Sequence, residues 1–308
     1  MNVGELSQET FARRLTGEGV AVRTGPFISR ITTSLPELAT PFRFLYADFP
    51  LDDGGIADFH VRVVPSSLLR RRWRPKVDFL FDGARAFQPF PRRLALPLLE
   101  WGLNWCVYHH ANQFLIVHAA VAERDGRAIV LPGRPGAGKS TLCAALVTGG
   151  WRLLSDEFAL VRPADVKLAA IPRPMSLKDR SIEVVRRLAP DAVFGPACAD
   201  TRKGTVAHMK PPVDSVRRAG EPAMPAWIVF PAYDAEAETR LEPLAKARAF
   251  FRVADNAFNY HVLGRTGFEA VSRLIDGCVC YELPYSSLED ALALLDGFQR
   301  PEAMTARR

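Results

Sequence analysis

The sequence predicts an α/β fold in which a mixed sheet flanked by helices surrounds a glycine-rich loop, preceded by a smaller strand-rich unit. Three observations predict it. From residue 94 onward, apolar runs of strand length alternate with apolar residues at helical spacing. A segment dense in glycine, Gly133 to Thr141, stands between a strand pattern and a helix pattern. Residues 1–90 carry short apolar runs separated by Pro, Gly and Asp, the punctuation of strands. At 308 residues the chain exceeds the size at which one core usually stops growing, so we expect two units, 1–90 and 91–308.

Taken in order, Phe42 to Tyr46, Phe59 to Val64 and Val77 to Phe81 read as strands of the first unit. The proline-rich Phe87 to Pro91 reads as a hinge before a helix over Leu94 to Ala111. Phe114 to Ala122, a turn at Arg124-Asp125-Gly126 and Arg127 to Leu131 read as a hairpin leading into the glycine loop, which makes the sheet mixed. A helix starts at Lys139 and ends at Gly149-Gly150. Arg152 to Val161 then suggests a strand, a sharp acidic turn and a second strand. Residues 163–226 are rich in Pro, Lys and Arg, with a helix over Ser181 to Leu188 and an irregular stretch from Cys198 to Thr205. Regular structure is expected again in the strand Trp227 to Phe230, helices near Leu244 to Val253 and Gly267 to Gly277, the strand Val279 to Leu283, and a last helix from Ser287 to Phe298.

Composition narrows the class. With 48% hydrophobic and 24% charged residues, the chain can build an ordinary globular core. Its most apolar region, Leu94 to Ala122, is interrupted by Glu100, Asn104, His109, His110, Asn112 and Gln113, so no membrane span is expected. The first residues lack a basic start followed by an apolar run, and we expect a cytoplasmic protein. Five cysteines without a CxxC pair read as reduced thiols, with Cys278 and Cys280 packed on one strand face. The net charge of +6 is scattered over Arg70 to Arg72, Arg92-Arg93, Arg186-Arg187 and Arg217-Arg218. No continuous basic stripe or reading motif accompanies it, which argues against nucleic acid and for solvated surface or an acidic protein partner.

Gly133-Arg134-Pro135-Gly136-Ala137-Gly138-Lys139-Ser140-Thr141 fits GxxxxGK(S/T), the P-loop pattern. Glycines let backbone N–H groups curl around a β-phosphate, and the helix start adds partial positive charge. Lys139 would reach the β and γ oxygens of ATP, and the Ser140 hydroxyl would hold Mg²⁺, with Thr141 belonging to the helix start. Asp156-Glu157 comes 17 positions after Lys139, room for one short helix and one strand returning beside the loop, which would bring a carboxylate to the γ-phosphate. His118 lies 15 residues before Gly133. Alone it would read as a packed core histidine; its company with the loop and Asp156 makes it a candidate to orient a proton acceptor.

These residues resemble the carboxy-terminal catalytic domain of the HPr kinase/phosphorylase family, and more closely its HPr kinase-related kinase A group. A strand histidine, a loop ending in GKS and an acidic pair after a short helix follow at the family's spacings as His118, Gly133 to Ser140 and Asp156-Glu157. Pro174 to Lys178, Lys203 to Pro212 and Phe258 to Phe268 extend the resemblance over roughly residues 114–298. The resemblance implies phosphorylation of a hydroxyl. Asp156 would accept the acceptor's proton, His118 would orient or polarise it, and Glu157 would bind Mg²⁺ with Ser140. It also implies a small protein or peptide as acceptor, a peptide-chaperone-like protein among them, and raises a homo-oligomer, because the phosphocarrier kinases are hexamers. The sequence departs from the family at three points. Glu157 replaces a second aspartate, Thr141 stands where a glutamate follows the loop serine, and a later Arg-Gly signature with its metal-binding glutamate is not found. Lys178, Arg202, Lys203 and His208 are further candidates for a phosphate clamp or acceptor site, and Glu183 for the missing metal ligand.

The leading expectation is therefore an ATP-dependent serine or hydroxyl kinase. The alternatives are an ATP-binding switch that transfers no phosphate and a small-molecule kinase. No Asn-Lys-x-Asp motif of GTPases and no Leu-Ser-Gly-Gly-Gln signature of ABC-type ATPases is present.

Overall fold

In the computed structural model, which describes residues 1–66 and 75–299, the first sheet begins with the hairpin Val20–Thr24 and Phe27–Thr33. The order continues through Phe59–Pro65, Lys76–Phe81 and Ala84–Arg85, with Phe90–Pro91 also on Lys76–Phe81. Phe27–Thr33 and Phe59–Pro65 pair in parallel and the other neighbours antiparallel. Phe59, Val61 and Val63 are buried while His60 and Arg62 are exposed, the period of two that a half-buried strand requires. The basic cluster Arg70 to Arg72 lies outside the described residues.

Phe42 to Tyr46, expected as a strand, lies instead at the end of the helix Ala39–Leu45. The run alternates, but it also satisfies helical spacing. Ala39, Phe42, Leu45 and Tyr46 are all buried and Phe44 is 43% exposed, so one helical face is covered rather than one strand face. A second helix, Gln8–Thr16, was not expected; Ser7 caps it by accepting from Thr10 N, and Phe11 and Leu15, one turn apart, are buried.

The helix Ala95–His110 forms as expected and packs under the first sheet so closely that a Cβ at Gly102 would collide with the Phe79 ring. Phe11, Phe42, Phe79 and Leu99 share one apolar cluster with Ile116, Phe158, Leu160 and Ile171, so the core runs continuously across residue 90.

The second sheet is mixed, with helices packed against it. Arg127–Pro132, Met224–Tyr233 and Val279–Tyr285 pair in parallel at its centre. Leu115–Arg124 returns antiparallel to Arg127–Pro132 across a two-residue turn whose residues, Asp125 and Gly126, both have positive φ (53° and 78°). On its other edge Leu115–Arg124 carries both Arg152–Ser155 and Phe158–Val161. The expected acidic turn is therefore not a reversal. Both short strands run antiparallel to the same neighbour, end to end, and the chain only bends at Asp156-Glu157. Ser155 Oγ accepts from the amides of Glu157 and Phe158, a local bond that replaces strand pairing there.

Residues 163–226 are more regular than expected. Met175–Lys178, Gly204–Met209 and Cys198–Thr201 form a three-stranded antiparallel sheet, with the expected helix at Arg180–Leu188. The irregular reading of Cys198 to Thr205 is corrected to a hairpin turning at Arg202-Lys203. Its signal was hidden because Ala199 and Asp200 are both exposed while Val206, Ala207, His208 and Met209 are all buried, so neither strand alternates. Lys246–Asp255, Arg265–Gly277 and Leu288–Asp296 form near their expected positions, the last capped by Ser287. Among the described residues no helix is long and apolar enough to cross a membrane.

One buried polar network ties the helices Ala39–Leu45 and Ala95–His110 to the segment that leads into Met175–Lys178. Tyr46 Oη donates to Glu100 Oε1 at 2.8 Å, and Arg173 reaches Glu100 Oε2 at 2.6 Å and Asn104 Oδ1 at 2.6 Å. Burial opposes the Arg173 charge, but Tyr46 and Glu100 outweigh it and hold the guanidinium above its ordinary pKa. Arg173→Met should leave Glu100 buried without its cation and cost about 3–5 kcal/mol. Urea unfolding checks this: the double variant Glu100→Met, Arg173→Met should recover part of that loss, and an equal loss in both would show that the uncompensated charge is not its cause.

Candidate functional site

The parallel strand Arg127–Pro132 delivers the chain into the glycine loop at the edge of the sheet where the loop helix Lys139–Thr148 begins. Gly136 (φ 88°) and Gly138 (φ 89°) adopt the left-handed conformation that side chains resist. Gly138 is constrained twice, because a Cβ there would also strike the Tyr285 hydroxyl, which donates to Gly138 O at 3.3 Å. Lys139 is 7% exposed and folds back on the loop, donating to Gly133 O at 2.6 Å and Arg134 O at 3.1 Å. Burial lowers its pKa, with Glu157 and Asp156 acting in the opposite sense.

A cleft of about 680 Å³ opens over this loop. Of the sequence-predicted residues it gathers Pro135, Gly136, Gly138, Lys139, Ser140, Thr141, His118, Asp156 and Glu157. Gly133, Arg134 and Ala137 do not line it; within the loop Ala137 N donates to Arg134 O. Lys178 and Lys203 also line the cleft. Arg202, His208 and Glu183 do not: Arg202 lies over the Phe90 ring, Glu183 is on the exposed side of its helix, and His208 is 1% exposed beneath the small sheet.

The bend between the two short strands presents Asp156 to the cleft. Asp156 Oδ2 accepts from Ser176 N at 3.0 Å, and Oδ1 is buried with no hydrogen-bond partner among the described residues. Burial first, then the Glu157 charge, raises its pKa to about 6; the neighbouring Ser140 hydroxyl, which makes no hydrogen bond of normal geometry to it, and the Ser176 amide act in the opposite sense. His118 pairs in register with Phe158, and its Nε2 approaches Glu157 Oε1 at 3.7 Å. It makes no hydrogen bond to Asp156, so the expected contact falls on the neighbouring carboxylate. Burial, then Lys139, lowers the His118 pKa, which keeps the ring neutral at neutral pH; Glu157 opposes the shift. Lys203 is likewise held below its usual range by burial and then by Lys178.

Among the cleft residues that sequence reasoning missed are two arginines and two tyrosines. Arg180 and Arg187 come to the cleft from Arg180–Leu188, and their seven-residue separation was the available signal for a shared helical face. Tyr233 and Tyr285 come from the ends of two parallel strands and pack edge to face, with ring centroids 5.5 Å apart. Neither tyrosine has a local signal, because each is placed by sheet order. Among the described residues no cluster of three or more His, Cys, Asp or Glu forms a metal cage. All five cysteines are free, and burial raises the thiols of Cys278 and Cys280 to about 12 and about 11.

A family model described as SynChlorMet cassette protein ScmC matches residues 95–176. The matched segment contains the helix Ala95–His110, the hairpin, the glycine loop and the acidic bend, so the chain is similar to that family over one side of the cleft. Comparison with curated proteins gives no match.

The raised pKa of Asp156 has a sign that unfolding can read. The folded chain holds the proton more tightly than the unfolded chain, so the resulting stability is complete below about pH 4 and is lost as pH rises through about 6. Asp156→Asn keeps an acceptor for Ser176 N and removes the ionisation. It should raise the stability of the ligand-free protein by up to about 3 kcal/mol at pH 8 and by almost nothing at pH 4. Urea unfolding at both pH values measures it; a gain of the same size at both would exclude the buried charge as the cause.

Proposed function

We propose that the chain is an ATP-dependent kinase of the HPr kinase/phosphorylase-like type, close to the HPr kinase-related kinase A group, acting on a serine or other hydroxyl of a small protein or peptide. One observation carries the reading. A buried carboxylate with a pKa near 6 and one unpartnered oxygen, Asp156, shares a cleft with Lys139 and Ser140 at the start of the loop helix. A general base works best when its proton affinity lies near the working pH and a lone pair faces the acceptor.

The residues fit the groups this chemistry needs. Left-handed Gly136 and Gly138 leave the loop backbone uncovered toward the cleft, and the Lys139 ammonium, now bonded to two loop carbonyls, would exchange them for phosphate oxygens. Ser140 and Glu157 would hold Mg²⁺, which supplies charge neutralisation on the phosphates. Mg²⁺ is commonly bound through one or two carboxylates plus phosphate oxygens, so a pair of protein ligands suits it. In the transfer, the acceptor hydroxyl gives its proton to Asp156 Oδ1, its oxygen bonds to the γ-phosphorus, and the bond to the departing ADP oxygen breaks. Neutral His118 would position Glu157, and Lys178 and Lys203 would balance the charge moving toward the acceptor. The proposal places the protein in the cytoplasm, with a small protein, a peptide or a peptide-chaperone-like protein as acceptor and a homo-oligomer as one form of assembly.

A second reading, an ATP-gated switch that transfers nothing, is favoured by the sequence's departure from the family's Arg-Gly signature with its metal-binding glutamate. Transfer from γ-labelled ATP with Mg²⁺ to candidate small proteins and peptides separates the two. Wild type should label an acceptor hydroxyl. Asp156→Asn should bind ATP but transfer roughly 10²–10⁴-fold more slowly, and Lys139→Ala should lose both binding and transfer. ATP binding without label in wild type would favour the switch.

A further inference from the structure

One corner of the cleft gathers positive charge that no described carboxylate neutralises. The strand Met175–Lys178 brings Lys178 there, the helix Arg180–Leu188 brings Arg180 and Arg187, and the turn before Gly204–Met209 brings Lys203. Ile182 and Val185 are buried on another side of that helix, which fixes the face it turns to the cleft. Arg180 and Arg187 share this face about 10 Å apart along the axis, and both are exposed. Among the described residues none of these four cations forms an ion pair, whereas Arg217, Arg218, Arg240, Arg252 and Arg265 all have acidic partners.

The acids close by are engaged elsewhere. Asp179 stands between Lys178 and Arg180, but its Oδ1 accepts from Thr205 N at 2.8 Å and its amide donates to Thr205 O at 2.9 Å. It holds a positive φ of 44° while doing so, a conformation that costs an aspartate free energy. These bonds tie the segment that carries Lys178 and Arg180 to the turn that carries Lys203, and they take the intervening carboxylate away from all three. Within the cleft, Glu157 contacts His118, and Asp156 accepts from Ser176 N. Glu183, spaced along the helix to pair with either arginine, stays outside the cleft and pairs with neither.

Like charges held together are unfavourable unless an anion settles among them. Phosphates on the loop account for Lys139 and the lysines nearest it; Arg180 and Arg187, on a separate helix, call for a second anionic group. The corner begins beside the proton acceptor, because Lys178 follows two residues after Ser176, whose amide binds Asp156, about 7 Å along the strand. We propose that Lys178, Lys203, Arg180 and Arg187 dock an acidic segment of the acceptor, so that the phosphorylated hydroxyl belongs to a peptide or small protein with aspartate or glutamate a few residues away. The proposal rests on the kinase reading above and narrows its substrate class. An extended chain advances about 3.4 Å per residue, which brings carboxylates from about the second position beyond the hydroxyl level with Lys178. Charge complementarity of this kind selects a partner and steers its approach.

Fluorescence anisotropy on the full chain tests it with labelled serine peptides that differ only in their flanking residues, glutamate in one and lysine in the other, and with a short oligothymidylate as a third probe. Wild type should bind the glutamate peptide at least tenfold more tightly than the lysine peptide, with or without saturating Mg²⁺ and ATP, and should transfer label from γ-labelled ATP to it. The double variant Arg180→Glu, Arg187→Glu should lower that affinity roughly tenfold while ATP affinity stays within twofold, which also shows that the variant is folded. The milder Arg187→Gln should weaken the glutamate peptide alone by a few fold. Equal binding of the two peptides, displacement of the glutamate peptide by ATP, unchanged binding in the double variant, or tighter binding of the oligothymidylate would overturn the docking surface and leave the kinase reading standing. A bound glutamate peptide that takes no label would instead sink the kinase reading while the acid-selective surface stands.

Discussion

The strand Leu115–Arg124 is hydrogen-bonded along both edges, and the geometry of the cleft depends on that double pairing. One edge holds Arg127–Pro132 in a tight hairpin and so sets where the glycine loop leaves the sheet. The other edge holds Arg152–Ser155 and Phe158–Val161, and so sets where the acidic bend leaves it. Ala119 pairs with Pro132, the residue before the loop, while its amide donates to Glu157 O across the other edge. The loop and the carboxylates are thus held two strand widths apart by backbone bonds. A one-residue slip in either pairing would turn Asp156 or the loop entrance to the opposite face.

Those backbone bonds hold Asp156 and Lys139 out of water. Each is less than a tenth exposed, and each is pushed toward its neutral form by burial. Lys178 limits the shift at Asp156, and Glu157 with Asp156 limits it at Lys139, but neither is abolished, because the ammonium is spent on loop carbonyls and burial acts on both groups. A site that stabilised both ions fully would hold Asp156 near the ordinary carboxylate range, where it binds a proton too weakly to act as a base at neutral pH. The raised proton affinity and the destabilisation of the ligand-free fold at higher pH have one physical source.

Much of this arrangement was legible in the sequence wherever the signal is local. The loop, the helix from Lys139, the hairpin with its Asp125-Gly126 turn and the capped last helix rest on residue types whose backbone preferences act over a few positions. Three failures have physical reasons. Phe42 to Tyr46 satisfies both periods, and only the surface that covers it decides between them. Two strands of the small sheet show no alternation, since Ala199 and Asp200 are both exposed and Val206 through Met209 all buried. The acidic segment bends without reversing, because its partner strand is long enough to carry both halves. Asp156, Glu157 and His118 were found together because they sit on adjacent strands close in sequence. Tyr233 and Tyr285 were not, since more than ninety residues separate them from the loop and sheet order alone brings them there.

The same contrast bears on the match to residues 95–176. That segment carries the helix packed under the first sheet and, lining the cleft, His118 of the doubly paired strand, the loop and the acidic bend. The opposite wall, from Arg180–Leu188 and the ends of Met224–Tyr233 and Val279–Tyr285, lies outside it. Residues that hold phosphate and take up a proton must sit within hydrogen-bond reach of one another, so few substitutions preserve their function. Under the proposed kinase reading, the glycine loop and Asp156 fall inside the matched segment, and the wall from Arg180–Leu188 and the two strand ends falls outside it.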